Sequence, residues 1–271
     1  MISAVIITKR RASGTLAHEP RDAEGRPYHI RLKKAEVAEV ALLPGDPGRV
    51  PTIARRLARA ALLSSNREYT SYTGYAGREK VIVMSTGIGG PSTAIAVEEL
   101  ARLGVRTMIR VGTCGAIVPK LSVGSVVIAD AAVRMEGTSW QYIAPGYPAA
   151  ATPGVVLALK KAAERLGVSA PVGITASTDS FYLGQGRRSF GGYFPKGRAH
   201  LVEDMRAAKV LCFEMEAATL FTLGRLFGLR VGAVLAVVAN RATDQFTPEA
   251  GVDDAIRVAV EATKILRKYP V

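Results

Sequence analysis

Two cysteines, three histidines, one tryptophan and no long apolar run in 271 residues remove several kinds of protein at once. Cys114 and Cys212 sit in separate apolar segments without ligand spacing, and His18, His29 and His200 are scattered, so neither a disulfide framework nor a zinc cluster is expected. The longest uncharged apolar stretches, such as Val231 to Ala239, fall well short of the roughly 20 residues that span a bilayer. Met1 to Arg11 places its positive charge after a short apolar run, the reverse of a secretory signal, and the expectation is a soluble, cytoplasmic protein with no membrane partner. Asn and Gln together number only five and Arg outnumbers Lys 25 to 11, a composition compatible with a heat-adapted protein.

What is present is an ordinary globular mixture, 48% hydrophobic and 22% charged, which excludes disorder, collagen and coiled coil. The net charge is +13. It is spread out: the first 34 residues carry eight Lys or Arg against Glu19, Asp22 and Glu24, and the body shows no dense basic helix or aromatic-basic ladder. No nucleic-acid partner is expected, although a nucleic-acid-binding module on an enzyme-like fold stays open as the reading from another class.

Residues 1–27 show no sustained period and read as a basic, flexible extension; the folded domain is expected over 28–271. Within it, strand-like runs at Val37 to Leu43, Val81 to Ser85, Thr107 to Val111, Ser125 to Ala129, Val172 to Ala176, Leu211 to Glu214 and Val231 to Val238 alternate with helical patterns. The helices are expected at Val50 to Ala60, Pro91 to Leu103, Gly154 to Leu166, Ala217 to Phe227 and Asp254 to Tyr269. This alternation predicts one α/β domain around a buried sheet. Two stretches lack any period, Glu136 to Pro153 and the Gly- and Arg-rich Leu183 to His200, which could act as a lid.

Three glycine-rich joints follow predicted strands: Pro44-Gly45-Asp46-Pro47-Gly48-Arg49, Ser85-Thr86-Gly87-Ile88-Gly89-Gly90-Pro91-Ser92 and Gly112-Thr113-Cys114-Gly115. Backbone N–H groups in such joints can face an anion unobstructed, or the glycines simply permit tight turns. None matches the P-loop or the dinucleotide fingerprint, so neither ATP nor NAD is supported. Arg49 and Arg67 lie close by, and Arg110 interrupts an apolar strand, a costly place for a cation without an anionic partner. Guanidinium forks suit phosphate, and surface ion pairing is the plainer alternative. Glu214-Met215-Glu216 sets two carboxylates into an apolar run; a carboxylate can clasp a ribose diol, or serve as helix-end charge. Phe181, Gln185 and Arg187 offer a stacking face, an amide and a guanidinium within seven residues.

In this order the motifs resemble the nucleoside phosphorylase family, from about Tyr28 to the C-terminus, and the set Phe181, Gln185 and Arg187 is similar to its uridine-cleaving branch. The resemblance implies a three-layer αβα fold with a central mixed sheet. It implies reversible phosphorolysis without a cofactor, with nucleoside and inorganic phosphate as partners. Gly45, Arg49, Arg110 and Thr113 would hold phosphate, joined by Arg67 of a neighbouring subunit. Met215, Glu216 and Thr113 would hold ribose, with the neighbour's His29 at the 5′-hydroxyl. Phe181, Gln185, Arg187 and Arg241 would bind the base, and Arg110, Glu216, Gln185 and Arg187 would carry the catalysis. No metal would be required, though Glu68, Ile88 and Ser92 line a monovalent-cation site in some relatives. The active unit would be a homohexamer, a trimer of dimers sharing sites across the dimer interface. Asn240 falls where purine-cleaving branches commonly carry an acid, which favours a pyrimidine; purine nucleoside or methylthioadenosine phosphorolysis is the alternative.

Overall fold

Apolar, β-branched runs separated by glycine and proline joints build one mixed sheet with helices on both faces. The computed structural model describes residues 17–269. In chain order the elements are β1 (Val40–Leu43), α1 (Arg49–Ala54), β2 (Ala58–Asn66), β3 (Tyr69–Ala76), β4 (Glu79–Met84), α2 (Gly90–Leu103), β5 (Thr107–Ala116) and β6 (Val126–Met135). There follow β7 (Ala149–Ala150), α3 (Pro153–Leu166), β8 (Val172–Thr178), α4 (Leu201–Ala207), β9 (Cys212–Glu214), α5 (Ala217–Leu226), β10 (Arg230–Asn240), β11 (Gln245–Phe246) and α6 (Val252–Thr263).

The strands lie in the order β11-β10-β6-β8-β9-β5-β1-β4-β3-β2, and β10 pairs with β5 as well as β6. Strands β5, β10, β6, β8 and β9 therefore close on themselves, which removes exposed edges from the middle of the molecule. Parallel pairing of β1 with β4 and β5 brings Leu42 opposite Val83 and Leu43 opposite Arg110. The first two glycine joints emerge at the carboxyl ends of β1 and β4, where open α/β sheets bind ligands. The third, Gly112 to Gly115, is not a joint but the continuation of β5, which pairs with β10 as far as Ala116.

Both faces are covered, as expected of an αβα fold. On one, α2 and α5 bury Val97, Leu100, Leu220 and Phe221. On the other, α1, α3 and α6 bury Ile53, Leu159 and Ile256. Helix α2 starts on Gly90-Pro91 and stops at the left-handed Gly104, and α3 runs likewise from Pro153 to the left-handed Gly167.

The expected helix over 50–60 ends at Ala54. From Ala58 the chain forms the β2–β3 hairpin, which the sequence reading missed because β2 is a largely exposed edge strand without a buried alternate face. The aperiodic stretch after Glu136 is held by the buried Arg134, whose guanidinium donates to the carbonyls of Ile143, Ala144 and Tyr147 at 2.7 to 2.8 Å. Residues 1–16 of the expected extension lie outside the described residues. In 17–27 the chain turns around the Asp22 carboxylate, which accepts from the Glu24, Arg26 and Arg26 Nε donors at 3.0, 2.9 and 2.6 Å. Among the described residues no helix is long and apolar enough to cross a membrane.

Candidate active site

Where the joints meet, a cavity of about 660 Å³ is lined by Gly45, Arg49, Glu68, Ile88, Arg110, Thr113, Cys114, Phe181, Gln185, Arg187, Met215 and Glu216, among others. Arg110, 5% exposed, presents its guanidinium there. Nε donates to Glu214 Oε2 at 3.0 Å, and Nη2 forms an ion pair with Glu216 Oε2 at 2.6 Å. Burial alone would pull the Arg110 pKa down, but the two carboxylates override it and hold the group charged. The third nitrogen, Nη1, faces the first joint: a Cβ at Gly45 would lie 3.8 Å from it and 3.2 Å from the Gly87 carbonyl. Gly112 is required for this arrangement, since a Cβ there would come within 2.6 Å of Arg110 Cζ.

Glu216 is the other pivot. Its Oε1 accepts from the Gly89 N–H at 2.6 Å, so the second joint reaches the same carboxylate that Arg110 grips. Burial pushes its pKa up, partly offset by Arg110 and reinforced by Glu214. Glu214 is anchored more heavily, accepting from the Glu216 and Ala217 N–H groups at 2.8 Å each and from the Ser177 hydroxyl. Arg49 is buried beside them. Its Nη2 lies 3.5 Å from Glu249, and its Nε has no hydrogen-bond partner among the described residues. A buried guanidinium N–H without a partner is uncommon in a folded protein, and Arg49 also lines the cavity.

At the far end, Gln185 Oε1 accepts from Arg187 Nη1 at 2.6 Å, which leaves the amide's NH2 as its uncommitted group. Arg187 also donates to the Phe181 carbonyl at 2.6 Å and lies 4.1 Å over the Phe181 ring. Its pKa is pulled down to about 10 by burial and by the neighbouring Arg241. Arg241 does not line the cavity; it braces the loop from behind, donating to the Gln185 carbonyl and, at 3.1 Å, to that of Gly186. Phe213, Val238, Ala239 and Phe246 supply apolar walls that the sequence reading did not single out.

Two other expected site residues, His29 and Arg67, lie elsewhere. His29 Nδ1 pairs with Glu99 at 2.7 Å, Arg67 lies 5.7 Å over the Tyr28 ring, and neither lines the cavity. Glu68 and Ser92 both crowd Gly87, where a Cβ would come within 2.8 Å of Glu68 Cγ and 3.1 Å of Ser92 Oγ. Asn240 is committed to the backbone: Nδ2 donates to Val118 and Leu121 carbonyls at 3.1 and 2.6 Å, and Oδ1 accepts from Ala242 and Thr243. It caps the loop after β10 and does not line the cavity. The Cys114 thiol is pushed up by its hydrogen bond with Cys212 and by burial, which makes it a poor nucleophile at neutral pH. Among the described residues no three His, Cys, Asp or Glu side chains converge as a metal site.

The cavity thus brings together two arginines, a buried carboxylate, and the set Phe181, Gln185 and Arg187 from one loop. Residues 39–269 match the Phosphorylase superfamily. The chain is 54% identical over 253 residues to the uridine phosphorylase of Thermococcus kodakarensis, covering 93% of this chain and 91% of that one. It is 42% identical over 246 residues to the uridine phosphorylase of Haemophilus influenzae, covering 88% and 98%. A guanosine phosphorylase from Halorubrum lacusprofundi is 38% identical over 249 residues, covering 88% and 98%. The architecture and these similarities agree, and the chain belongs to the phosphorylase superfamily.

Proposed function

We propose that this chain is a pentosyltransferase that catalyses the reversible phosphorolysis of uridine, giving uracil and ribose 1-phosphate in cytoplasmic pyrimidine salvage. Inorganic phosphate is the co-substrate and no cofactor takes part. The observation that carries the reading is Arg110, which grips Glu216 through Nη2 while Nη1 faces the Gly45 joint. One guanidinium so links a place for phosphate with a place for the sugar.

The chemistry follows from that link. Breaking the glycosidic bond builds positive charge on the anomeric carbon, and a phosphate held by Arg49, Arg110, Gly45 and Thr113 is positioned to stabilise and then attack it. Glu216, with Met215, holds the ribose hydroxyls. The departing uracil gains negative charge, which the free amide N–H of Gln185 and the cation of Arg187 stabilise as it develops. Phe181 supports the ring. His29 and Arg67, outside their own chain's cavity, complete the site of a neighbouring subunit at the 5′-hydroxyl and the phosphate, in a homohexamer of three dimers.

A purine nucleoside is the second reading, supported by the similarity to a guanosine phosphorylase. Turnover at saturating phosphate with uridine, thymidine, deoxyuridine, inosine and guanosine decides between them. Uridine is expected to be cleaved fastest; inosine or guanosine far ahead of it would overturn the substrate assignment.

A further inference from the structure

Ser177 has no part in the reaction as described above, yet it is fully buried at the foot of the Arg110 cluster. Parallel pairing of β8 with β9 puts Ser177 beside Glu214. The Ser177 Oγ accepts from the Ala218 N–H at 2.8 Å and is in hydrogen-bond contact with Glu214 Oε1. A hydroxyl has one proton to give; with Ala218 already a donor, that proton goes to Glu214. The direction of this bond is therefore fixed by the backbone of α5.

Glu214 in turn has little freedom. Oε2 takes three donors, Arg110 Nε and the Glu216 and Ala217 N–H groups, so Oε1 is the oxygen through which the plane of the carboxylate is set, and Ser177 holds it. The orientation of Arg110 follows from that plane, because its Nε donates to Glu214 while Nη2 is held against Glu216 as an ion pair. Rotation of the guanidinium would carry Nη1 away from the Gly45 joint.

We propose that Ser177 is a positioning residue for the phosphate subsite, acting through Glu214 to fix the guanidinium of Arg110. The inference rests on the phosphorolysis reading for the role of Arg110, and deepens it by naming what sets the subsite's geometry. Ser177 touches neither substrate. Its effect belongs to phosphate capture and to the chemical step, where a small misplacement of a positioned group is amplified.

The test is steady-state kinetics of full-length Ser177→Ala, Ser177→Cys and Ser177→Thr, varying phosphate and nucleoside separately, with a thermal melt of each variant. Ser177→Ala is expected to lose about 10- to 100-fold in kcat/KM for phosphate, with a much smaller change in the nucleoside KM. Ser177→Thr, which keeps the hydroxyl, is expected to restore most of the loss. Ser177→Cys, close in shape with a weak donor, falls between them and gives the answer if the alanine variant does not fold. In a Glu214→Gln background Ser177→Ala is expected to add little, since its route to Arg110 is already altered. An unchanged phosphate KM and kcat in the cysteine or alanine variant overturns the proposal, as does a loss equally large with and without Glu214→Gln. The assay uses whichever nucleoside the unmodified enzyme cleaves, so failure of the uridine assignment appears in the parent protein and failure of the Ser177 proposal only in the variants.

Discussion

At the end of the cavity proposed for phosphate and ribose, Arg110 and Glu214 project from strands, Arg49 and Glu216 stand at helix starts, and all four are buried. Arg110, Glu214 and Glu216 are locked to one another or to main-chain N–H groups, while Arg49 reaches only Glu249 among the described residues. At the base end, Phe181, Gln185 and Arg187 come from one loop of short 3-10 turns, half of the Phe181 ring is open to solvent, and the cations are braced by carbonyls of the same loop. The difference separates two tasks. Chemistry common to any nucleoside is built into the rigid layer of the sheet, while recognition of the base is carried by a segment that can change without disturbing it.

Substitutions at the two ends should therefore fail differently. Arg110→Ala is expected to have the largest effect, lowering kcat/KM by about a thousandfold or more. It also leaves two buried carboxylates without their cation, at a cost of about 3 to 5 kcal/mol in stability, so both turnover and denaturant unfolding should register it. Glu216→Ala comes next, with a loss of about a hundredfold or more in kcat/KM, and a melt less affected because Glu214 still pairs Arg110. Gln185→Ala should cost about 10- to 100-fold with uridine, erode the preference for uracil over other bases, and leave the phosphate KM unchanged. Intact base selectivity in that variant would dissolve the division of labour between the two ends.

Acidity supplies a subtler test. Burial raises the Glu216 pKa, so its carboxylate is lost at a pH above the ordinary range, and the acid limb of kcat/KM for uridine should lie above that range. The sign for stability is opposite to that of a paired surface carboxylate. Between the ordinary pKa and the raised one the folded protein keeps a proton the unfolded chain has released, so stability falls as pH rises through that window. Glu216→Gln should flatten both dependences; an unchanged acid limb in that variant would assign it to another group. Arg241→Ala, which removes only the loop's brace, is expected to be the mildest of the set, a several-fold rise in nucleoside KM.

The two ends also differ in how far the sequence disclosed them. Glycine joints and a cation inside an apolar strand are local signals, and Arg110, Gly45 and Glu216 meet as those signals suggest. Helix α2 was legible for the same reason, bracketed by Pro91 and Gly104. What stayed hidden depends on long-range pairing: the closure of β10 onto β5, the exposed β2–β3 hairpin, and the register that puts Ser177 beside Glu214. Adjacent carboxylates look alike in sequence, so only the family resemblance set Glu216 apart from Glu214, which its neighbours' N–H groups fasten. For Asn240 the sequence shows only that an amide cannot act as an acid; that its side chain also caps a loop depends on where the chain folds.

The account stands most directly on the dependence of uridine cleavage on phosphate. With uridine and phosphate together, uracil and ribose 1-phosphate are expected in equal amounts, and without phosphate, no uracil. Release of uracil with free ribose in phosphate-free buffer would contradict it, because the Arg49 and Arg110 end of the cavity would then be serving water rather than an oxyanion.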